Sequence, residues 1–354
     1  MQTCAEQLPI EIWLIVFQYL EAHDLFHAFH NLNYHFNQIL ASNYLSFYVR
    51  LHETDNNYLQ YSTSLYWFDS VLNRITHLRS SVRSRSNYFF EFLYWHVNKL
   101  IRLQSLSIRI GLRDTSYIPF ICQALKQLNV LEYLSLTCIP NEILFKAILT
   151  IPTLRICRLT LRPSTTIINY RFDVNSNIKH LFLIDLGNAN YSLINLFLIH
   201  TPKLKRLEIS GSYFSFHQVS IFDKQLCTLP KLQILKLKLE SGYFSSDCFK
   251  YLHMTMPVLK YFYFNYHKHI LPETFLDILI SHWWLIIEQI KHVYIYIKGH
   301  FIIDTTNDNI QMNLQQNKQI LLSKSNQSNN SIKVQWTEQN FNRLRLIEIT
   351  IVKS

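Results

Sequence analysis

Glycine is scarce in this chain of 354 residues, with five in all at Gly111, Gly187, Gly211, Gly242 and Gly299. Their wide spacing excludes the G-x-G-x-x-G fingerprint and the P-loop, which need glycines where the backbone crowds a phosphate. A G-x-S-x-G elbow and an H-E-x-x-H pair are also missing, so neither a hydrolase nucleophile nor a zinc-protease ligand pair is in place. The six cysteines, Cys4, Cys122, Cys138, Cys157, Cys227 and Cys248, contain no C-x-x-C and read as reduced core residues. His23, His27 and His30 fall at helical spacing, but no carboxylate or thiol completes a metal set, so no metal and no cofactor are expected. The N-terminus lacks a basic region followed by a long apolar run, so no signal peptide is expected. The most apolar long stretch, Phe275 to Ile290, contains Asp277, His282, Glu288 and Gln289. It falls short of the roughly 20 apolar residues of a membrane span. Charged residues make up only 16% of the chain, against 49% apolar ones, and 34 basic against 24 acidic residues leave a net charge of +10. These features predict a cytoplasmic or nuclear protein without catalysis of its own and without membrane association.

The first forty residues hold more apolar surface than they can bury among themselves. From Ile10 to Leu20 the chain reads I-E-I-W-L-I-V-F-Q-Y-L, with only Glu11 and Gln18 polar. Pro9 stands where the first turn of a helix tolerates proline. Ile12, Val16 and Leu20 form one apolar stripe at helical spacing, and Trp13 and Phe17 a second. A helix that is apolar all round is buried all round. The short segments that follow (Leu25, Ala28, Phe29, Leu32, then Phe36, Ile39, Leu40) give a unit too small for a self-sufficient core. The rest of the chain or another protein must supply a surface.

The phrase L-P-I-E-I-W-L-I-V-F-Q-Y-L, then Asp24-Leu25, then Ala28-Phe29 and N-L-N-Y-H-F, resembles an F-box over about residues 7–44. The resemblance implies docking on a Skp-type linker protein, and through it on a cullin, in a ubiquitin ligase. Carried over position by position, the linker-binding set is Leu8, Pro9, Ile12, Val16, Phe17, Leu20 and Leu25. Family members often end the motif with an aromatic after a basic pair, where this chain has Asn33-Tyr34-His35-Phe36.

A second pattern governs the rest. The phrase L-x-x-L-x-L, with other apolar residues allowed, starts at Leu103, Leu131, Leu154, Ile178, Leu204, Leu232, Leu259 and Ile290. The intervals are 28, 23, 24, 26, 28, 27 and 31 residues, and six of the seven fall in the window of leucine-rich repeats. Each x-L-x-L-x core alternates and so predicts a short strand with one buried face. Helical patterns lie between, for example Ile118, Ile121, Cys122, Leu125 and Leu128. Pro152, Pro202, Pro230 and Pro257 each precede a phrase by two residues and are expected to end a helix and extend the chain. Each glycine is expected just past a strand, in a turn that needs positive φ. The chain is similar to leucine-rich-repeat proteins but departs from them eight residues into each phrase. The family's Asn or Cys is replaced there by Gly111, Ile139, Arg162, Leu186, Ser212, Glu240, His267 and Lys298.

The expected fold is therefore α/β. A small helical F-box (1–44) precedes a linker and degenerate first repeat (45–102). An irregular leucine-rich-repeat-like solenoid (103–303) follows, a curved parallel sheet with helices on its convex side. A mobile polar insert (304–331) and capping strands (332–354) close the chain. A doubly wound α/β domain is the competing reading. Within 45–102, alternation at 45–52 suggests a strand and 64–102 carry aromatic-rich helical patterns. Strand phase places the x positions on the concave face, and the later rows gather Arg206, Lys236, Lys238, Tyr261, Tyr263, Tyr294 and Tyr296 as a target-binding set. Tyr and Arg dominate binding hot spots, although Tyr also merely suits strands. The expected function is that of a substrate-recognition adaptor of a cullin-based ubiquitin ligase, with an acidic or phosphorylated target protein. A repeat scaffold outside ubiquitin ligation is the alternative. A nucleic-acid binder is less favoured, because the basic residues are spread and not gathered in one stripe.

Overall fold

The structure is a computed structural model that describes residues 7–51, 71–80, 87–162, 173–185, 191–211, 229–239, 256–270, 279–280, 284–302, 308–328, 332–341 and 344–353. The protein is mixed α/β with mostly parallel strands. It divides into two compact units, residues 1–157 and 158–354.

The first unit opens with three short helices, α1 (Ile10–Phe17), α2 (Ala22–Phe29) and α3 (Tyr34–Ala41). Pro9 sits just outside α1, and its carbonyl accepts from the Ile12 amide at 3.0 Å. Asn33 caps α3 by accepting from the Phe36 amide at 2.9 Å, which satisfies one of the free donors of a first turn. The strands β1 (Phe47–Leu51), β2 (Ile75–Ser80), β3 (Ser105–Arg109) and β4 (Tyr133–Cys138) pair in parallel, each with the next. Helix α4 (Asn87–His96) lies between β2 and β3, α5 (Ile118–Gln127) between β3 and β4, and α6 (Glu142–Leu149) follows β4, the crossovers that parallel strands require. Asn141 caps α6 through the Leu144 amide at 3.1 Å. Strand β5 (Ile156–Leu161) begins at the unit's end.

In the second unit β6 (His180–Ile184), β7 (Arg206–Gly211), β8 (Ile234–Leu239), β9 (Tyr261–Ile270) and β10 (His292–Ile302) are again parallel neighbours. Helix α7 (Tyr191–His200) follows β6, and α8 (Trp284–Gln289) precedes β10. The chain ends in an antiparallel pair, β11 (Ile332–Phe341) and β12 (Leu344–Lys353), with β12 paired to β10 and β11 at the edge.

One local rule recurs along the chain. Every strand from β3 to β10 starts two residues after the first residue of an L-x-x-L-x-L phrase. The residues at the phrase's first, fourth and sixth positions are buried in every case except Leu259, which is half-buried. Each such side chain contributes roughly 1.5–3 kcal/mol when fully buried. The prolines act more specifically than expected. Leu154, Leu204, Leu232 and Leu259 each donate to the carbonyl three residues back, at 3.4, 3.0, 3.1 and 3.1 Å. Pro152, Pro202, Pro230 and Pro257 therefore occupy the second position of a hydrogen-bonded turn, which their fixed φ favours.

Three expectations are corrected. The insert at 304–331 is not a structureless loop, because Asp308–Gln327 forms a helix, α9. Leu314 and Leu321, two turns apart, are buried, and no other apolar residue of the segment completes a stripe dense enough to read. Within the aromatic-rich helical region, Ile75–Ser80 is strand β2, whose burial alternates imperfectly. The glycines do not share a positive-φ role. Gly111 has φ −76° and is crowded instead, because a Cβ there would lie 2.6 Å from an Asp114 oxygen. Gly211 and Gly299 lie within β7 and β10, and Gly187 and Gly242 fall outside the described residues. Among the described residues other than glycine, the left-handed ones are Asn31 and Asp185.

Candidate functional site

Two surfaces carry the residues singled out by the sequence, one in each unit.

In the first unit, α1 to α3 share an aromatic core. Trp13 meets Phe36 edge-on at 4.9 Å, and Phe17 and Phe29 lie 4.8 Å apart. Phe17 and Leu25 are fully buried with Ile39. The surface these helices needed is partly their own unit's. Phe26 packs on Phe47 of β1 at 5.6 Å. Arg74 donates to the Leu40 and Ser42 carbonyls at 2.8 and 2.6 Å while covering the Phe47 ring.

The linker-binding set divides by burial. Phe17 and Leu25 are core residues that fix the helices, and Leu20 is half-buried. Leu8, Pro9, Ile12 and Val16 are exposed. Within its own unit α1 is not buried on all sides, so the described residues supply only part of the surface that its apolar groups were expected to need. Leu8, Ile10, Ile12, Ile15 and Val16 are 40–52% exposed, and Tyr19 85%. Ile12, Ile15 and Val16 follow at steps of three and four residues on α1 and so lie on one side of it, with Leu8 just before the helix and Tyr19 just after it. Beside it an open groove of about 650 Å³ is lined by Ile10, Glu11 and Leu14 of α1 and by Gln38, Ala41, Ser42 and Tyr44. Sequence reading missed Ile15, Tyr19 and Tyr44, although the three-and-four spacing of Ile15 and Tyr19 was there to read.

In the second unit, all seven residues of the target-binding set stand on one face of the sheet. The parallel register aligns them in rows. Arg206, Ile234, Tyr261 and His292 line up as one row across four strands. Glu208, Lys236, Tyr263 and Tyr294 form the next row, and Ser210, Lys238, Asn265 and Tyr296 the third. The rings stack across strands, Tyr261 on His292 at 4.6 Å and Tyr263 on Tyr294 at 4.9 Å. Glu208 pairs with Arg206 at 3.2 Å and with Lys238 at 3.5 Å. The Lys236 ammonium lies 5.8 Å from the centre of the Tyr263 ring, and the Arg206 guanidinium covers Phe182 at 5.1 Å. Burial first, then the charges of Arg206, Lys205 and Lys179, push His180 below its ordinary value. Tyr294 is held above its ordinary value by burial, then by Tyr263 and Tyr296, so its hydroxyl stays a proton donor. Sequence reading missed the partnership of Glu208 with Arg206 on its own strand and with Lys238 on β8, the second of which needs the β7–β8 register.

Among the described residues no group of three or more His, Cys, Asp or Glu side chains could hold a metal ion, and no helix is long and apolar enough to cross a membrane. No protein-family model matches the chain, and no curated protein is similar to it.

Proposed function

We propose that this protein is a non-catalytic adaptor, an F-box protein with a leucine-rich-repeat-like solenoid. Its first helix docks on a Skp-type linker of a cullin-based ubiquitin ligase, and a face of its repeat sheet holds a target protein. The observation that carries this reading is the apolar surface left on α1. The helix is already fixed by Trp13 and Phe17, yet Ile12, Ile15 and Val16 remain exposed on it, with Leu8 and Tyr19 exposed at its two ends. A helix in a complete monomer turns a polar face to water, whereas a contiguous apolar face marks a partner surface. The strand phrase repeating in the family's window of lengths supports the solenoid reading. The mechanism is proximity, since holding a target near the transfer machinery raises its effective concentration. The adaptor works in the cytoplasm or nucleus and needs no cofactor.

The test is a pull-down of the purified full chain with a Skp-type linker protein. Ile12→Asp with Val16→Asp puts two charges on the exposed face while leaving the aromatic core alone. It should abolish linker binding and keep the wild-type circular dichroism spectrum. Phe17→Ala should instead lower stability, because it opens a cavity in the core. A folded Ile12→Asp, Val16→Asp variant that still binds the linker would overturn the docking assignment. A wild-type chain that does not bind it would leave a repeat scaffold outside ubiquitin ligation.

A further inference from the structure

Tyrosines flanked by lysines on a sheet suit two kinds of ligand, a single-stranded nucleic acid or a segment of protein. Nucleic-acid bases need free ring faces on which to stack. The rings of Tyr263 and Tyr294 lie 4.9 Å apart with planes 8° from parallel, and Tyr261 and His292 lie 4.6 Å apart at 12°. These separations match the spacing of neighbouring strands. Two rings lying flat side by side could not approach so closely, so the rings stand upright with their inner faces against each other. The far side of Tyr263 faces Lys236. What reaches solvent is chiefly ring edge and hydroxyl.

Aromatic edges carry the positive part of the ring quadrupole. The Tyr263 oxygen accepts from Asn265 Nδ2 at 3.4 Å, which leaves its own proton to donate outward. The charges point the same way. Glu208 occupies Arg206 and Lys238, and its side chain is only 17% exposed. Lys236 stands directly across from Glu208 in register, yet among the described residues it pairs with no carboxylate and has only the Tyr263 ring. Among the described side chains of the β7 to β10 rows, Lys236 is therefore a cation that no carboxylate compensates, set among proton donors. A polyanion charged at every unit needs a row of free cations, which Glu208 denies it.

We infer that this face captures an extended acidic protein segment, one carboxylate seating on Lys236 beside the Tyr263 and Tyr294 hydroxyls, and that Glu208 sets specificity by withholding Arg206 and Lys238 from polyanions. This deepens the adaptor reading and rests on it only in taking this face as the one that meets a target.

The experiment uses the full chain without linker, so failure of linker binding and failure here are separate results. The probes are a labelled peptide of alternating Asp and Val, whose carboxylates project to one side when extended, and a labelled oligouridylate. Binding is read by fluorescence anisotropy at low and moderate salt. The wild-type chain should prefer the peptide. Lys236→Gln should weaken peptide binding by about tenfold, as loss of a charge-assisted contact does. Glu208→Gln should strengthen oligouridylate binding by about tenfold or more and steepen its salt dependence, because two cations are freed. Lys238→Gln removes a cation already neutralised and should change peptide binding by no more than about twofold. That variant keeps the inference open to refutation if Glu208→Gln does not fold. Preference for oligouridylate in the wild type, binding of neither probe, or equal peptide losses in Lys236→Gln and Lys238→Gln would each overturn it.

Discussion

Arg74 exposes 5% of its surface and stays a cation, because a guanidinium does not deprotonate in a protein even where burial, and then Arg102, lower its value. Its two carbonyl partners, Leu40 and Ser42, belong to the C-terminal end of α3, where the helix leaves acceptors unpaired and the dipole is negative. Arg102 reaches the Asn43 carbonyl at 3.1 Å beside them. Two cations thus cap the last helix of the N-terminal trio and tie it to β2. Arg74→Met keeps the length of the side chain but leaves a buried acceptor without a donor. It should cost roughly 1–3 kcal/mol, read as a fall in the urea midpoint of the full chain. An unchanged midpoint would mean that water replaces the guanidinium. Nothing in the sequence marks this residue. Its partners lie 34 and 32 positions earlier, and Val71-Leu72-Asn73-Arg74 reads locally as one more fragment of helical pattern. Leu106 or Leu134 could be placed from the sequence, because burial on a strand is a matter of phase. Arg74 could not, because its role depends on where two carbonyls end up.

Elements were legible in proportion to the density of their apolar pattern. All eight strands from β3 to β10 follow the phrase, because alternation at period two leaves little freedom of register. Helix α9 was hidden, since its few apolar residues, Leu314 and Leu321 among them, are diluted by Asn, Gln, Lys and Ser and make no dense stripe. Its hold on the sheet is partly polar. Lys318 reaches Glu338 of β11 at 2.7 Å, Trp336 donates its indole N–H to the same carboxylate at 2.6 Å, and Arg345 lies 3.6 Å away. Burial, the largest influence, pushes the Glu338 carboxyl up. The hydrogen bonds from Lys318 and Trp336 and the charges of Lys318 and Arg345 outweigh it and bring the group below its ordinary 4.5. A depressed carboxylate favours the folded state above its unfolded value, and that contribution is lost as pH falls through the folded value. Acid below about pH 4 should therefore loosen α9 first, seen as a change in Trp336 emission and faster amide exchange in 308–327. Glu338→Gln should remove that acid step and lower stability at neutral pH, by about 1–2 kcal/mol since the group keeps some contact with water. The same acid step in Glu338→Gln would place its origin in another carboxylate.

At the scale of the molecule, the consequence of this architecture is that damage stays where it is made. In each unit a strand hydrogen-bonds to the next in sequence almost throughout, with β12 and β11 the exception. If the proposed solenoid reading holds, stacked repeats gain stability from neighbouring contacts, and the effect of a lost core residue decays along the stack. Phe17→Ala should cost about 3–5 kcal/mol and Leu321→Ala about 2–5 kcal/mol. The first residue is fully buried in the unit of residues 1–157, the second in that of 158–354. Amide exchange followed by mass spectrometry should show Phe17→Ala raising exchange in α1 to α3 and β1 while β9, β10 and β12 keep wild-type protection. Leu321→Ala should do the reverse, raising exchange in α9 and β11 and sparing α1 to α3. Thermal unfolding should then depart from a single two-state transition in at least one variant. Uniform loss of protection along the whole chain in either variant would show that the 354 residues unfold as one cooperative body. The two units of the fold would then not be units of stability.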